Sequence, residues 1–198
     1  MKNHLTFDEE KHLYFLNGVE LPSVTRVLKP LSDFDRIDKD ILKRAQDFGT
    51  AVHKTCELYD LDDLDEGNLD PALAPYLEGW KSFRRECSFL PMHIEERVYS
   101  EKHMFAGTLD RIGVMRGADA LVDIKSGTSL YPSVGPQLAG YEIAARALGL
   151  IGKKPIVRYA VQLMKNGRYK LESYTSQSDS TVFLACLTLH QFRSQHGN

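Results

Sequence analysis

The stretch Phe105 to Gly127, FAGTLDRIGVMRGADALVDIKSG, constrains the chain more than any other, because it sets charged side chains inside two otherwise apolar runs. Asp110 stands within the first run, Gly107 to Val114, and Asp123 and Lys125 close the second, Ala120 to Lys125. Side chains alternate along a strand, so Asp123 and Lys125 share a face about 6–7 Å apart while Ile124 points into a core. A turn around Arg116, Gly117 and Ala118 pairs the runs as a hairpin and can bring Asp110 beside Asp123. The outcome is a candidate metal site with a lysine at its edge. Taken alone, a DxK triplet is more often a strand-end salt bridge, here with Arg111 and Lys125 as partners. Position weighs against that reading, since a charge within LVDIK has apolar neighbours on both sides and is expensive to leave unpaired.

The flanking sequence supplies layers for such a hairpin. Residues 4 to 28 read as an N-terminal β-hairpin extension: an extended piece, a polar turn at Asp8 to Lys11, a strand Leu13 to Leu16, an Asn17-Gly18 turn and a return, with Ser23 or Thr25 capping a short helical turn. From Asp38 to Tyr59, Ile41, Leu42, Ala45, Phe48, Val52, Cys56 and Tyr59 recur at helical spacing. Gly49, His53 and Glu57 form a ridge beside that stripe, and a helix-interior glycine suggests close approach there. A lone histidine at such a boundary is more often hydrogen-bonded than a ligand. The acidic segment Asp60 to Asp70 reads as a solvated linker. As a calcium loop with Gly67 sixth it would need oxygen ligands where Leu64 and Leu73 stand. Asp70-Pro71 then opens a second helix carrying Leu73, Tyr76, Leu77, Trp80 and Phe83, ending near Pro91.

A strand His93 to Ser100 places Ile94, Glu96 and Val98 on one face. After the hairpin, a helix runs from Ser133 or Gly135 to about Leu150, with Gln137 and Tyr141 sharing a face at i, i+4. A strand Ile156 to Met164 follows, joined by a two-residue Asn166-Gly167 turn to Tyr169 to Tyr174, and a last helix is capped near Ser178 or Ser180. Helices, three strands, helix, two strands and helix together favour an α/β (α+β) chain with a central mixed β-sheet flanked by helices.

Composition sets the outer limits. At 198 residues with 42% hydrophobic and 26% charged residues, the chain is expected to be one domain with a substantial core. No membrane span or signal peptide stands out, so cytoplasmic residence is expected, in the bacterial host cytoplasm if phage-encoded. Three scattered cysteines, Cys56, Cys87 and Cys186, argue against a disulfide framework, a zinc site or an iron-sulfur cluster. A net charge of −2 leaves no global basic footprint, so any nucleic-acid surface would be a local groove. GLIGKK at Gly149 to Lys154 fails as a P-loop, because Ala147 and Lys154 occupy its first glycine and Ser/Thr positions. Two carboxylates on paired strands suit a divalent cation whose shell waters and phosphate oxygens complete. Lys125 could then orient or deprotonate water, or neutralise phosphate charge.

GTAVH at Gly49 to His53, GTLD at Gly107 to Asp110, DIKSG at Asp123 to Gly127 and QLAGY at Gln137 to Tyr141 follow one another along the chain. Together with the opening HLYFLNGVELPSVTRVL, they resemble the PD-(D/E)XK nuclease superfamily, specifically its RecB-like and phage-type exonucleases, over nearly the whole chain. The resemblance implies a restriction-endonuclease-like core with a mixed four-stranded sheet. Residues 1–198 would form a single nuclease domain, with an N-terminal extension over 1–30, a catalytic core over 38–175 and a C-terminal helix and tail over 178–198.

It implies Asp110, Asp123 and the Ile124 backbone carbonyl as metal ligands, His53 as a further ligand and Lys125 as the catalytic lysine. Glu96 would be an acidic helper, and Gln137 and Tyr141 would line the site or touch DNA. Asp123 stands where glutamate is commoner, a substitution the RecB-like group accepts, and the cysteines of cluster-bearing relatives are missing. The implied activity is Mg²⁺- or Mn²⁺-dependent hydrolysis of linear DNA, double-stranded or with single-stranded ends, in phage or prophage recombination or end processing. A homo-oligomer or a recombination partner protein is compatible with this. Steering would rest on Lys43, Arg44, Lys54, Arg84, Arg85, Lys153, Lys154 and Arg158. The competing readings are a non-cutting DNA-binding or recruiting module, and an RNA-directed nuclease or an endonuclease.

Overall fold

A computed structural model describes residues 4–31 and 38–197; the first three residues of the expected extension and the last of the expected tail lie outside them. A small antiparallel sheet comes first, with strands β1 (Leu5–Asp8), β2 (Leu13–Leu16) and β3 (Val19–Leu21) in that order. It is a three-stranded meander. The Asn17-Gly18 turn works as expected, with both residues at positive φ, 51° and 83°. The short helix α1 (Val24–Val27) follows, with Ser23 Oγ accepting the Arg26 amide at 3.1 Å.

Helix α2 (Lys39–Asp60) starts at Asp38, whose carboxylate accepts the Asp40 and Ile41 amides. Its buried residues are Val52, Thr55 and Cys56, whereas Ile41 is 62% exposed, so the apolar stripe meets the core only in its C-terminal half. Helix α3 (Ala74–Glu86) begins later than expected. Asp70 accepts the Ala72 amide in a separate turn, and Pro75, not Pro71, occupies the first helical turn.

The main sheet is mixed, in the order β4 (Phe89–Ser100), β5 (Phe105–Met115), β6 (Ala118–Lys125), β7 (Val157–Leu163) and β8 (Tyr169–Tyr174). All neighbours are antiparallel except β6 and β7, which helix α4 (Val134–Ala147) connects in parallel. Five strands are present where the resemblance implied four. The β7/β8 hairpin also differs from the two-residue expectation: Met164 N–H donates to Arg168 C=O, leaving a three-residue turn with Gly167 at φ 78°. Helix α5 (Ser178–His196) closes the chain, and the Ser178 amide is taken by Ser176 Oγ, so neither Ser178 nor Ser180 is the cap.

The sheet separates two apolar cores. Val52 and Cys56 of α2 and Trp80 and Phe83 of α3 pack on Val122, Ile124 and Val161. On the other face, α1, α4 and α5 pack Val24, Leu138 and Phe183 against Leu109, Leu121 and Ala160. Among the described residues, no helix is long and apolar enough to cross a membrane. Helix α4 lies so close to α5 that a Cβ on Gly140 would sit 2.7 Å from the Phe183 ring. Gly140→Ala is therefore expected to destabilise the chain by about 1–3 kcal/mol through overpacking. Thermal unfolding should record a fall of about 2–4 °C per kcal/mol; an unchanged midpoint would show that the two helices can separate freely.

Candidate metal centre

Strands β5 and β6 pair only from Met115↔Ala118 to Arg111↔Val122, around the Arg116-Gly117 turn. The next pair in that register is Asp110 opposite Asp123, and there the backbone ladder stops. Asp110 Oδ2 instead accepts the Ile124 amide at 2.6 Å, a side chain standing in for a strand carbonyl. Alternation along β6 sends Val122 and Ile124 into the α2/α3 core and leaves Asp123 and Lys125 facing α4. The expected hairpin geometry is therefore present, with both carboxylates buried.

Three further elements converge on this break in the ladder. Helix α2 brings His53 Nδ1 to 3.4 Å from Asp110 Oδ1. Helix α4 brings Gln137, which accepts from Lys125 Nζ at 3.1 Å and donates to Asp123 Oδ1 at 3.2 Å, with Tyr141 Oη 3.5 Å from its amide nitrogen. Gly107 admits the tyrosine ring, since a Cβ there would stand 2.8 Å from Tyr141 Cε1. Gly49 has no such role; a Cβ on it would make ordinary contact with Ser126 Oγ at 3.5 Å. Tyr14 of the meander donates to or accepts from Thr108 Oγ1 at 2.8 Å, and with His12 it walls a cleft of about 730 Å³ that includes Thr25, Gln46 and Thr50.

Strand β4 corrects one expectation. Glu95, not Glu96, stands with the site: ligand atoms of His53, Glu95 and Asp110 all lie within 4.8 Å of one another. A register shift between Pro91 and His93, and a φ of 48° at Glu95, disturb the alternation that would have put Glu96 there. Glu96 instead lies 3.6 Å from His93. The strand was expected from His93; it starts at Phe89 and takes in Pro91, a residue that strands carry at edges and bulges.

Two of the cations expected to steer nucleic acid are bound to acids of the fold, Arg158 in the interior and Arg84 with its side chain still 24% exposed. Arg158 is buried between Glu142 and Asp179, and Arg84 is bound to Asp60 at 2.7 Å. Asp60 is also no part of a solvated linker: its fully buried carboxylate accepts from Arg84, Arg111 Nε (2.7 Å) and Trp80 Nε1 (2.9 Å). Nothing in the spacing of DLDDLDEGNLD distinguished its first acid from the exposed ones that follow.

The buried charges shift one another. Burial opposes a charged His53, but the adjacent Asp110 carboxylate outweighs it and lifts the imidazole to about 9. Burial alone would raise Asp110, yet His53, Lys125 and the Ile124 amide hold it below its usual range. Burial raises Asp123 and Glu95, and in each the Asp110 charge adds to the rise. Burial would lower Lys125, but Asp123 and then Asp110 more than compensate, so its ammonium is firmly held. Asp123 Oδ2 is buried with the Lys125 ammonium 2.7 Å away. The His53 imidazole with the Glu95 and Asp110 carboxylates is a donor set that suits a hard divalent cation.

No protein-family model matches this chain, and no curated protein matches it. The site therefore stands on its own geometry. Replacing Asp60 with asparagine would leave Arg111 and Arg84 facing a neutral amide in the core. A loss of about 3–5 kcal/mol is expected from such a broken buried pair, read as a lower urea midpoint; an unmoved midpoint would show that the arginines find other acceptors.

Proposed function

We propose that this chain is a metal-dependent DNA nuclease of the PD-(D/E)XK superfamily, allied to its RecB-like and phage-type exonucleases. The observation that carries the proposal is Asp110, one residue past the last β5/β6 pair, accepting the Ile124 amide between Asp123 and Lys125, which share a face of β6. His53 and Glu95 complete the acidic and imidazole donors around it. Mg²⁺ or Mn²⁺ would be held by Asp110, Asp123, His53, Glu95 and the Ile124 carbonyl. When bound, such an ion polarises a phosphoryl oxygen and acidifies water.

The chain's own residues would do the remaining work. Hydrolysis adds a water oxygen to phosphorus, breaks the bond to one ester oxygen and moves a proton to the leaving oxygen. Lys125 is held charged by two carboxylates, which suits it to donate hydrogen bonds to the phosphate and the incoming water better than to remove a proton. Gln137 fixes Lys125 and Asp123 relative to each other by bonding both. Tyr141 and Thr25 border the cleft where a phosphate backbone would run. Exonucleolytic action, DNA over RNA, and a role in recombination or end processing rest on the resemblance.

The test is release of acid-soluble nucleotides from linear DNA by the purified chain. Activity is expected with Mg²⁺ or Mn²⁺ and none in EDTA. Asp110→Ala, Asp123→Ala and Lys125→Ala should each lower the rate by about 10²-fold or more, while Glu96→Gln should stay near wild type. Cutting that persists in EDTA or in the Asp123 variant would overturn the proposal, and folded protein that binds DNA but never cuts would favour the recruiting module.

A further inference from the structure

Arg111 follows Asp110 on β5 but faces the opposite side of the sheet, into the α2/α3 core. It is fully buried, and its hydrogen bonds run in two directions. Nε donates to Asp60 Oδ2 at 2.7 Å, and Nη1 donates to Glu95 Oε1 at 2.8 Å and to the Asp110 carbonyl at 2.6 Å. The guanidinium carbon lies 5.7 Å from the Trp80 ring centre. Asp60 is in turn fixed by Arg84 and the Trp80 indole, so one end of the guanidinium is clamped by the ends of α2 and α3.

The other end reaches the metal centre. Unlike the fully buried Asp60, Glu95 has a side chain that is 26% exposed and borders the cleft. Its backbone sits at φ 48°, a conformation that a non-glycine residue keeps only when its surroundings impose it. A buried Arg–Asp pair serving stability alone has no need of a third, cleft-facing acid.

We propose that Arg111 is a positioning residue: anchored by Asp60, it holds the Glu95 carboxylate against His53 and Asp110 and so strengthens cation binding. The proposal rests on the metal-dependent reading above. A planar guanidinium spans Asp60 and Glu95 together, whereas a lysine is a point charge able to serve one of them. Groups that orient a ligand from behind are typically worth about 10–100-fold in metal affinity.

Calorimetric titration of the full chain with Mn²⁺ tests this. Arg111→Lys and Glu95→Gln should each weaken Mn²⁺ binding by about 10–100-fold. The double variant should bind no more weakly than Glu95→Gln alone, because Arg111 acts through Glu95. Arg84→Met, which strips Asp60 of its other arginine and leaves the Arg111–Glu95 contact, should keep wild-type affinity. Unchanged affinity in Arg111→Lys, or losses that multiply in the double variant, would overturn the proposal. If Arg111→Lys does not fold, Asp60→Asn, which releases the anchor and leaves Arg111 in place, should show the same weakening, and wild-type affinity there would overturn it equally. A wild-type chain that binds no Mn²⁺ would instead overturn the metal reading, and this inference with it.

Discussion

A backbone amide at the point where two strands part must find an acceptor, and at Ile124 the acceptor is the Asp110 carboxylate at 2.6 Å. That bond fixes one oxygen of Asp110 and leaves the other for His53. It also determines what β6 offers on its α4 face. Had the β5 backbone continued the ladder, the amide would be satisfied by a carbonyl and Asp110 would have no fixed direction. The sheet opens at this place, and the opening is where residues from α2, β4, β5, β6 and α4 meet.

Charge has to be distributed across that opening, because its members are largely out of water. Going from α3 to α4, the order is Arg84, Asp60, Arg111, Glu95, Asp110 with His53, then Asp123 and Lys125. Cations and anions alternate on the α3 side, and acids accumulate toward the cleft. The carboxylates gather at the cleft, where the His53 and Lys125 charges offset them and the ligand atoms of His53, Glu95 and Asp110 face one another.

Legibility followed the kind of signal each residue left. Period-two alternation in LVDIK and a turn at Arg116-Gly117 were enough to place Asp123, Lys125 and Asp110, because register fixes all three once the hairpin forms. Gln137 and Tyr141 were readable as one helical face. His53 had helical spacing but no chemical signal of its own, and the resemblance supplied its role. Glu95 was hidden because a bulged strand does not obey alternation, and Asp60 because a buried acid and a solvated one look alike in an acidic run. Arg111 sat in plain view beside Asp110, but its partners come from residues 16 and 51 positions earlier, a distance that no local pattern spans.

The meander of β1 to β3 has its own small cluster, Tyr14, Leu16 and Leu21 with Ala106, apart from the two cores that hold the carboxylates. It reaches the cleft through the Tyr14–Thr108 hydroxyl contact and the His12 side chain. Wall and floor of the cleft thus belong to different packing units, which can open at different free energies. A substitution inside the Tyr14 cluster therefore falls on the wall of the cleft and leaves the packing that spaces the carboxylates untouched.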